Sequence, residues 1–182
     1  MKNLILKTTL TTILLISGQI MKAQDLLRNP QKIVIDAKRN RLIVSNEGNG
    51  ALVQIDSLGI QHPFIPNAGC IDGIEIVGDT IFGVGSGRKL YGYNLNTKAK
   101  VMSRTITGSS SYYLSSVASD SMGHLFISCP GQNKIFRLRI SDSTYWTFAQ
   151  NNGLNEPNGI LLEREKNRIV VIGDSPAPST IY

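Results

Sequence analysis

The chain has 182 residues, 41% hydrophobic and 18% charged, with 17 Gly and 7 Pro. That is one domain's worth of material, apolar enough for a core and outside the composition of disordered chains. Nineteen Lys and Arg against 13 Asp and Glu give +6, but Lys2, Lys7 and Lys22 fall in residues 1–23, which hold no acid, so the remainder carries only +3. A surplus that thin excludes a basic nucleic-acid-binding face.

Residues 1–23 read as a secretory signal peptide. Lys2 and Lys7 form the positive start, Leu10 to Ile16 is an uncharged apolar run, and Ser17-Gly18-Gln19 breaks it before a cut after Ala23. The apolar run is too short for a stable membrane span. The segment contains no Cys, which excludes a lipid-modified cysteine at the new terminus. The mature domain, residues 24–182, is therefore expected in an exported protein, periplasmic or secreted.

Beyond the leader the sequence repeats. Anchoring on Ile33, Ile74, Val117 and Ile160 gives spacings of 41, 43 and 43 residues. Each anchor is followed by a second β-rich run: Leu42-Ile43-Val44, Ile81 to Val84, Leu125-Phe126-Ile127 and Ile169 to Ile172. Third runs follow at Leu52 to Ile55, Leu90 to Tyr93, Ile135 to Leu138 and Thr180-Ile181-Tyr182; a weaker fourth is clearest at Tyr145 to Phe148. Gly78-Asp79, Asn46 to Gly50 and Pro130 to Asn133 supply turn chemistry at the joints, where Gly and Asn tolerate positive φ. No stretch shows helical periodicity.

Four short strands per unit at a period near 42 are the signature of a β-propeller blade. The expected fold is all-β: a β-propeller of about three and a half four-stranded blades, at about 30–66, 68–108, 112–150 and 154–182. The expectation is an incomplete, N-terminal part of a ring, because an open array leaves raw strand edges. Two copies completing a ring together is the rival. Gly73, Ser116 and Gly159 share one repeat position on the innermost strand, where close backbone approach favours small residues; Lys32 is the exception.

Short polar residues stand at the starts of the inner strands: Gln31, Asp72, Ser115 and Asn158. They read either as a polar ring at the channel mouth or as ordinary strand-initiating and turn-capping residues. Tyr113, after Gly108 to Ser111 and just before an inner strand, is placed near the same mouth; Tyr91, Tyr93, Tyr145 and Trp146 are expected in the core. Cys70 and Cys129 are an even pair in an exported chain, and either a disulfide or two free thiols fits them. Gly83 to Lys89 lacks the residue order of a phosphate loop and reads as a hairpin turn. His62 and His124 have no partner at metal-ligand spacing, and no nucleophile–base pair is evident.

Pro157-Asn158-Gly159-Ile160 followed by Asn167 to Val171 resembles the blade start of the senescence-marker-protein/gluconolactonase/LRE-like family of six-bladed propellers. Asp120 to Ile127 and Asn133 to Arg137 resemble NHL-type repeats. The resemblance implies a divalent cation, Ca²⁺ or Zn²⁺, at the top of the channel in the family's lactonases. Its ligands there are a first-blade Glu, a fourth-blade Asn and a fifth-blade Asp. Only Asn158 matches; the first blade offers Asn29-Pro30-Gln31, and Tyr113 and Ser115 lie near the positions of the family's substrate-contacting Arg and Asn. The expected function is an exported module binding a small-molecule or protein ligand at the channel face through Asp72, Tyr113, Ser115 and Asn158. The alternative is a divalent-metal-dependent lactone or ester hydrolase, with Asn158 as a metal ligand.

Overall fold

The computed structural model describes residues 25–106, 113–150 and 153–174. The leader, Tyr112 and the third run of the last unit at Thr180 to Tyr182 lie outside the described residues. The first sheet holds β1 (Pro30–Asp36), β2 (Arg41–Asn46), β3 (Leu52–Ile55) and β4 (Gln61–Ile65). The second holds β5 (Ile74–Val77), β6 (Thr80–Gly85), β7 (Lys89–Asn94) and β8 (Lys100–Thr105). The third holds β9 (Val117–Ser119), β10 (His124–Cys129), β11 (Lys134–Arg139) and β12 (Tyr145–Gln150). The fourth has two described strands, β13 (Pro157–Glu163) and β14 (Arg168–Gly173). Every sheet is an antiparallel meander in chain order, so the protein is an all-β propeller of about three and a half blades.

The register follows the repeat. Ile33 pairs with Val44, Ile74 with Gly83, Val117 with Ile127 and Ile160 with Val171, so the four anchors occupy one place on the first strand of each blade. Period-two alternation then sends neighbouring residues to opposite sheet faces, each packing on a different blade. Ile43, Leu52 and Phe64 of blade 1 meet Ile74, Ile81 and Tyr93 of blade 2. Phe82, Val84 and Leu90 of blade 2 meet Val117, Leu125 and Ile127 of blade 3. Ala118, Phe126 and Ile135 of blade 3 meet Ile160, Ile169 and Val171 of blade 4. Polar groups add a clamp between blades 1 and 2. Asp36, buried at the end of β1, accepts from Arg39 Nη1 and Arg41 Nε at 3.0 and 2.9 Å, and Arg41 Nη2 donates to the Leu95 carbonyl at 3.0 Å.

The turns are more regular than the sequence suggests. Ala37–Arg39, Pro130–Gln132 and Arg164–Lys166 form single 3₁₀ turns, each ended by an Asn in the left-handed region: Asn40, Asn133 and Asn167. Asp56 and Asp120 each accept two backbone N–H groups through Oδ1, from Leu58 and Ile60 and from Met122 and His124. Gly83 to Lys89 runs from β6 through a 3₁₀ turn at Ser86–Arg88 into β7.

Two sequence expectations need correction, and one open alternative is decided. The Cys70–Cys129 bridge is not formed: both thiols are free and buried, Cys70 in the cluster between blades 1 and 2 and Cys129 in that between blades 2 and 3. Close approach explains Gly73, where a Cβ would lie 2.6 Å from Ser116 Cα, but not Gly159, whose nearest neighbour would be 3.7 Å away. Trp146 is exposed on outermost strand β12 rather than in the core, stacked edge-on to His124. Among the described residues, no helix is long and apolar enough to cross a membrane.

Candidate functional site

Gln31, Asp72, Ser115 and Asn158 each lie two residues before a strand anchor, so the repeat delivers them to one end of the inner strands. The structure joins three of them. The Ser115 hydroxyl stands between Asp72 Oδ2, at 3.1 Å, and Asn158 Oδ1, in a very short contact. Gln31 is not bonded to this trio; its amide donates to Glu47 Oε2 at 2.7 Å, as Asn29 does at 2.6 Å. Asn158 Nδ2 donates to Asp174 Oδ2 at 2.7 Å.

Glu47 and Asp174 were missed by sequence reasoning, although they are repeat equivalents. Each follows directly on the second strand of its blade, three residues past the partner of the anchor, in blades 1 and 4. Blades 2 and 3 carry Ser86 and Pro130 there, so the acidic signal appears in only half the units.

The preceding blade fixes the spacing. Ser45 on β2 donates to the Asp72 carbonyl at 2.7 Å, and Ser128 on β10 donates to the Asn158 carbonyl at 2.7 Å. Both serines are fully buried and hold the same repeat position, one past the residue paired with the anchor. Between blades 2 and 3, where the equivalent residue is Val84, Gly73 N–H donates directly to the Ser115 carbonyl at 2.8 Å.

The electrostatics are one-sided. Burial pushes the Asp72 carboxyl up to about 6; the negative charges of Glu47 and Asp174 add to the rise, while the Ser115 hydroxyl and Gly73 N–H oppose it. The half-exposed Tyr113 phenol is raised by partial burial first, then by Asp174, Glu156 and Asp72, which places it in the field of the same carboxylates.

Counting protons shows what the cluster lacks. With Asn158 Nδ2 given to Asp174, Asn158 Oδ1 must accept, and Ser115 has one proton for two acceptors. Either Asp72 carries a proton or a donor must come from outside. Asn158, the expected metal ligand, has its amide oxygen and nitrogen already engaged by Ser115 and Asp174. Among the described residues, no three His, Cys, Asp or Glu side chains gather closely enough to hold a metal ion.

No protein-family model matches the chain, and no curated protein matches it by sequence. Solved structures do. A streptogramin B lyase is 14% identical over 88% of this chain and 56% of its own, with a TM-score of 0.64. A nidogen/laminin complex chain is 14% identical over 80% of this chain and 57% of its own, with a TM-score of 0.65. Virginiamycin B lyase from Staphylococcus aureus is 16% identical over 84% of this chain and 55% of its own, with a TM-score of 0.64. At such identities the likeness establishes the propeller fold alone. The chain spans a little over half the length of these neighbours.

Proposed function

We propose that this protein is an exported propeller module whose channel face binds a small, positively charged, hydrogen-bond-donating ligand. The observation that carries this is the proton shortage at Ser115, whose single hydroxyl proton faces both Asp72 and Asn158 within reach of the fields of Glu47 and Asp174. A ligand ammonium or hydroxyl supplies the missing donor, and hydrogen bonds to an ionised carboxylate are the strong ones. The exposed ring of Tyr113 adds a face on which a sugar-sized ligand can stack. Export rests on the leader-like residues 1–23. The hydrolase alternative draws less support, since the start of the first blade offers Asn29-Pro30-Gln31 and no Glu, and the described carboxylates do not converge as metal ligands.

Three six-carbon probes of different charge test the reading. Calorimetry at pH 7.5 with cationic glucosamine, neutral glucose and anionic gluconate should show binding in that order of strength and none for gluconate. Asp72→Asn should weaken glucosamine by about tenfold, the cost of one lost charge-assisted hydrogen bond. Gluconate binding as tightly as glucosamine, or glucosamine binding indifferent to Asp72→Asn, would overturn it.

A further inference from the structure

Three charged side chains break the repeat, and they meet in one place. Lys32 stands one residue before its strand anchor, where the other blades have Gly73, Ser116 and Gly159. Glu75 stands one residue after its anchor, where the others have Val34, Ala118 and Leu161. Arg164 follows β13 where blade 1 has Ala37. All three, with Ser119, line one cavity of about 180 Å³, and each sits on an inner strand or in the turn directly after it. The fold does not need the two cations there. The turn after β13 repeats the clamp of blade 1: Glu163 takes Lys166 and Arg168 as Asp36 takes Arg39 and Arg41. Arg164 stays out of that clamp and donates to the Ser119 carbonyl at 3.4 Å; among the described residues, neither it nor Lys32 has an acidic partner. Glu75 Oε1 accepts from the buried Ser119 hydroxyl at 2.6 Å. The cavity lies farther along the inner strands than the polar cluster: Glu75 is three residues past Asp72, and Ser119 four past Ser115. At the rise of a strand that is about 10–13 Å.

We infer that the ligand is a short extended peptide, with its N-terminal ammonium at Asp72, Ser115 and Asn158 and its C-terminal carboxylate at Lys32 and Arg164. The ammonium end rests on the ligand reading proposed above; the carboxylate end rests on the cavity alone. A carboxylate is held best by charge-assisted hydrogen bonds from ammonium and guanidinium groups, and this cavity offers one of each. Three extended residues span about 10 Å, which matches the separation of the two ends, whereas a free amino acid is too short. Glu75 lies between the ends, where its second oxygen accepts a peptide N–H. The charges make both termini necessary. Glu47, Asp72, Glu75 and Asp174 outnumber Lys32 and Arg164, so an anion that lacks an ammonium group is repelled, while a zwitterion satisfies both sets.

Calorimetry at pH 7.5 with trialanine, its C-terminal amide and its N-acetyl form separates the two ends. The free acid should bind at least about tenfold more tightly than the amide. A general attraction to the acidic channel would give the reverse order, since the amide carries the larger positive charge. Lys32→Met and Arg164→Gln should each weaken the free acid severalfold without weakening the amide. Both positions are exposed, so the variants should fold, as circular dichroism verifies. An amide as tight as the acid, or an acid–amide difference that is unchanged in both variants, would overturn the carboxylate subsite. Glucosamine binding without trialanine binding would overturn the peptide and leave the ammonium site in place. N-acetyl trialanine as tight as the free peptide, with the acid–amide difference intact, would overturn the ammonium site and support the carboxylate subsite.

Discussion

Gly73 and Gly159 occupy the same repeat position, yet replacing each by Ala should have opposite consequences. A Cβ on Gly73 falls 2.6 Å from Ser116 Cα, 2.7 Å from the Ser115 carbonyl oxygen and 2.9 Å from Val117 N, all backbone at the start of β9. Restoring ordinary contact needs the inner strands of blades 2 and 3 to part by about 1 Å. That shift breaks the 2.8 Å Gly73 N–H to Ser115 carbonyl bond. Overpacking plus one lost hydrogen bond sums to about 2–4 kcal/mol of destabilisation. Gly159 has 3.7 Å to its nearest neighbour and no left-handed φ, so Ala there is accommodated. Its smaller unfolded-state entropy stabilises by roughly 0.5 kcal/mol. Urea unfolding followed by the fluorescence of Trp146, the chain's one tryptophan, measures both. Since Ser115 moves with the strand, Gly73→Ala should also weaken glucosamine binding. Equal losses at the two glycines, or a Gly73→Ala variant within about 0.5 kcal/mol of the parent, would refute the close-packing account.

Asp72 ties stability to pH. Its folded pKa of about 6 exceeds the ordinary 3.8, so the folded chain holds the proton more tightly and ionisation costs stability as pH rises from about 4 through 6. Asp72→Asn should therefore raise the unfolding free energy at pH 7.5 by about 1 kcal/mol, after allowance for screening of a partly exposed group, and leave it unchanged at pH 3, as paired urea melts would show. Asp36→Ala should cost about 2 kcal/mol in the same melts, because it removes the buried carboxylate that accepts from Arg39 and Arg41, although Arg39 keeps Asp79 and Arg41 keeps Gln54 and the Leu95 carbonyl. Both thiols should resist alkylation in the folded chain, since burial pushes Cys70 up to about 12 and raises Cys129 as well, and two should react in denaturant. Asp120→Ala should destabilise by about 2 kcal/mol, measured as a shift in urea midpoint, by freeing the Met122 and His124 N–H groups.

The blades were legible because burial imposes the same demand on every unit. Ile33, Ile74, Val117 and Ile160 are alike in sequence since each pairs with the second strand in one register. The two-residue offset of Asp72, Ser115 and Asn158 from those anchors was equally readable, and it brought all three together. What escaped depends on contacts between units. Glu47 and Asp174 sit in turns, where only two of four blades show an acid. The cysteines looked pairable because sequence gives the blade and the end of the strand, but not that each thiol is packed into a separate inter-blade cluster. Trp146 lies on an outermost strand, where alternation no longer distinguishes a packed face from an open one.

Stability and the geometry of the polar cluster are coupled by the way the cluster is held. Asp72, Ser115 and Asn158 are each held by the neighbouring blade: Ser45 of blade 1 holds the Asp72 carbonyl, Gly73 of blade 2 holds the Ser115 carbonyl, and Ser128 of blade 3 holds the Asn158 carbonyl. Each is an inter-blade bond as well as a distance constraint within the site. A ligand that bridges Asp72, Ser115 and Asn158 therefore ties three blades together and stabilises the stack by mass action, since the unfolded chain has no such constellation. The same reasoning makes the site sensitive to changes far from it, because any substitution that parts two blades at their core also pulls apart the oxygens at their ends.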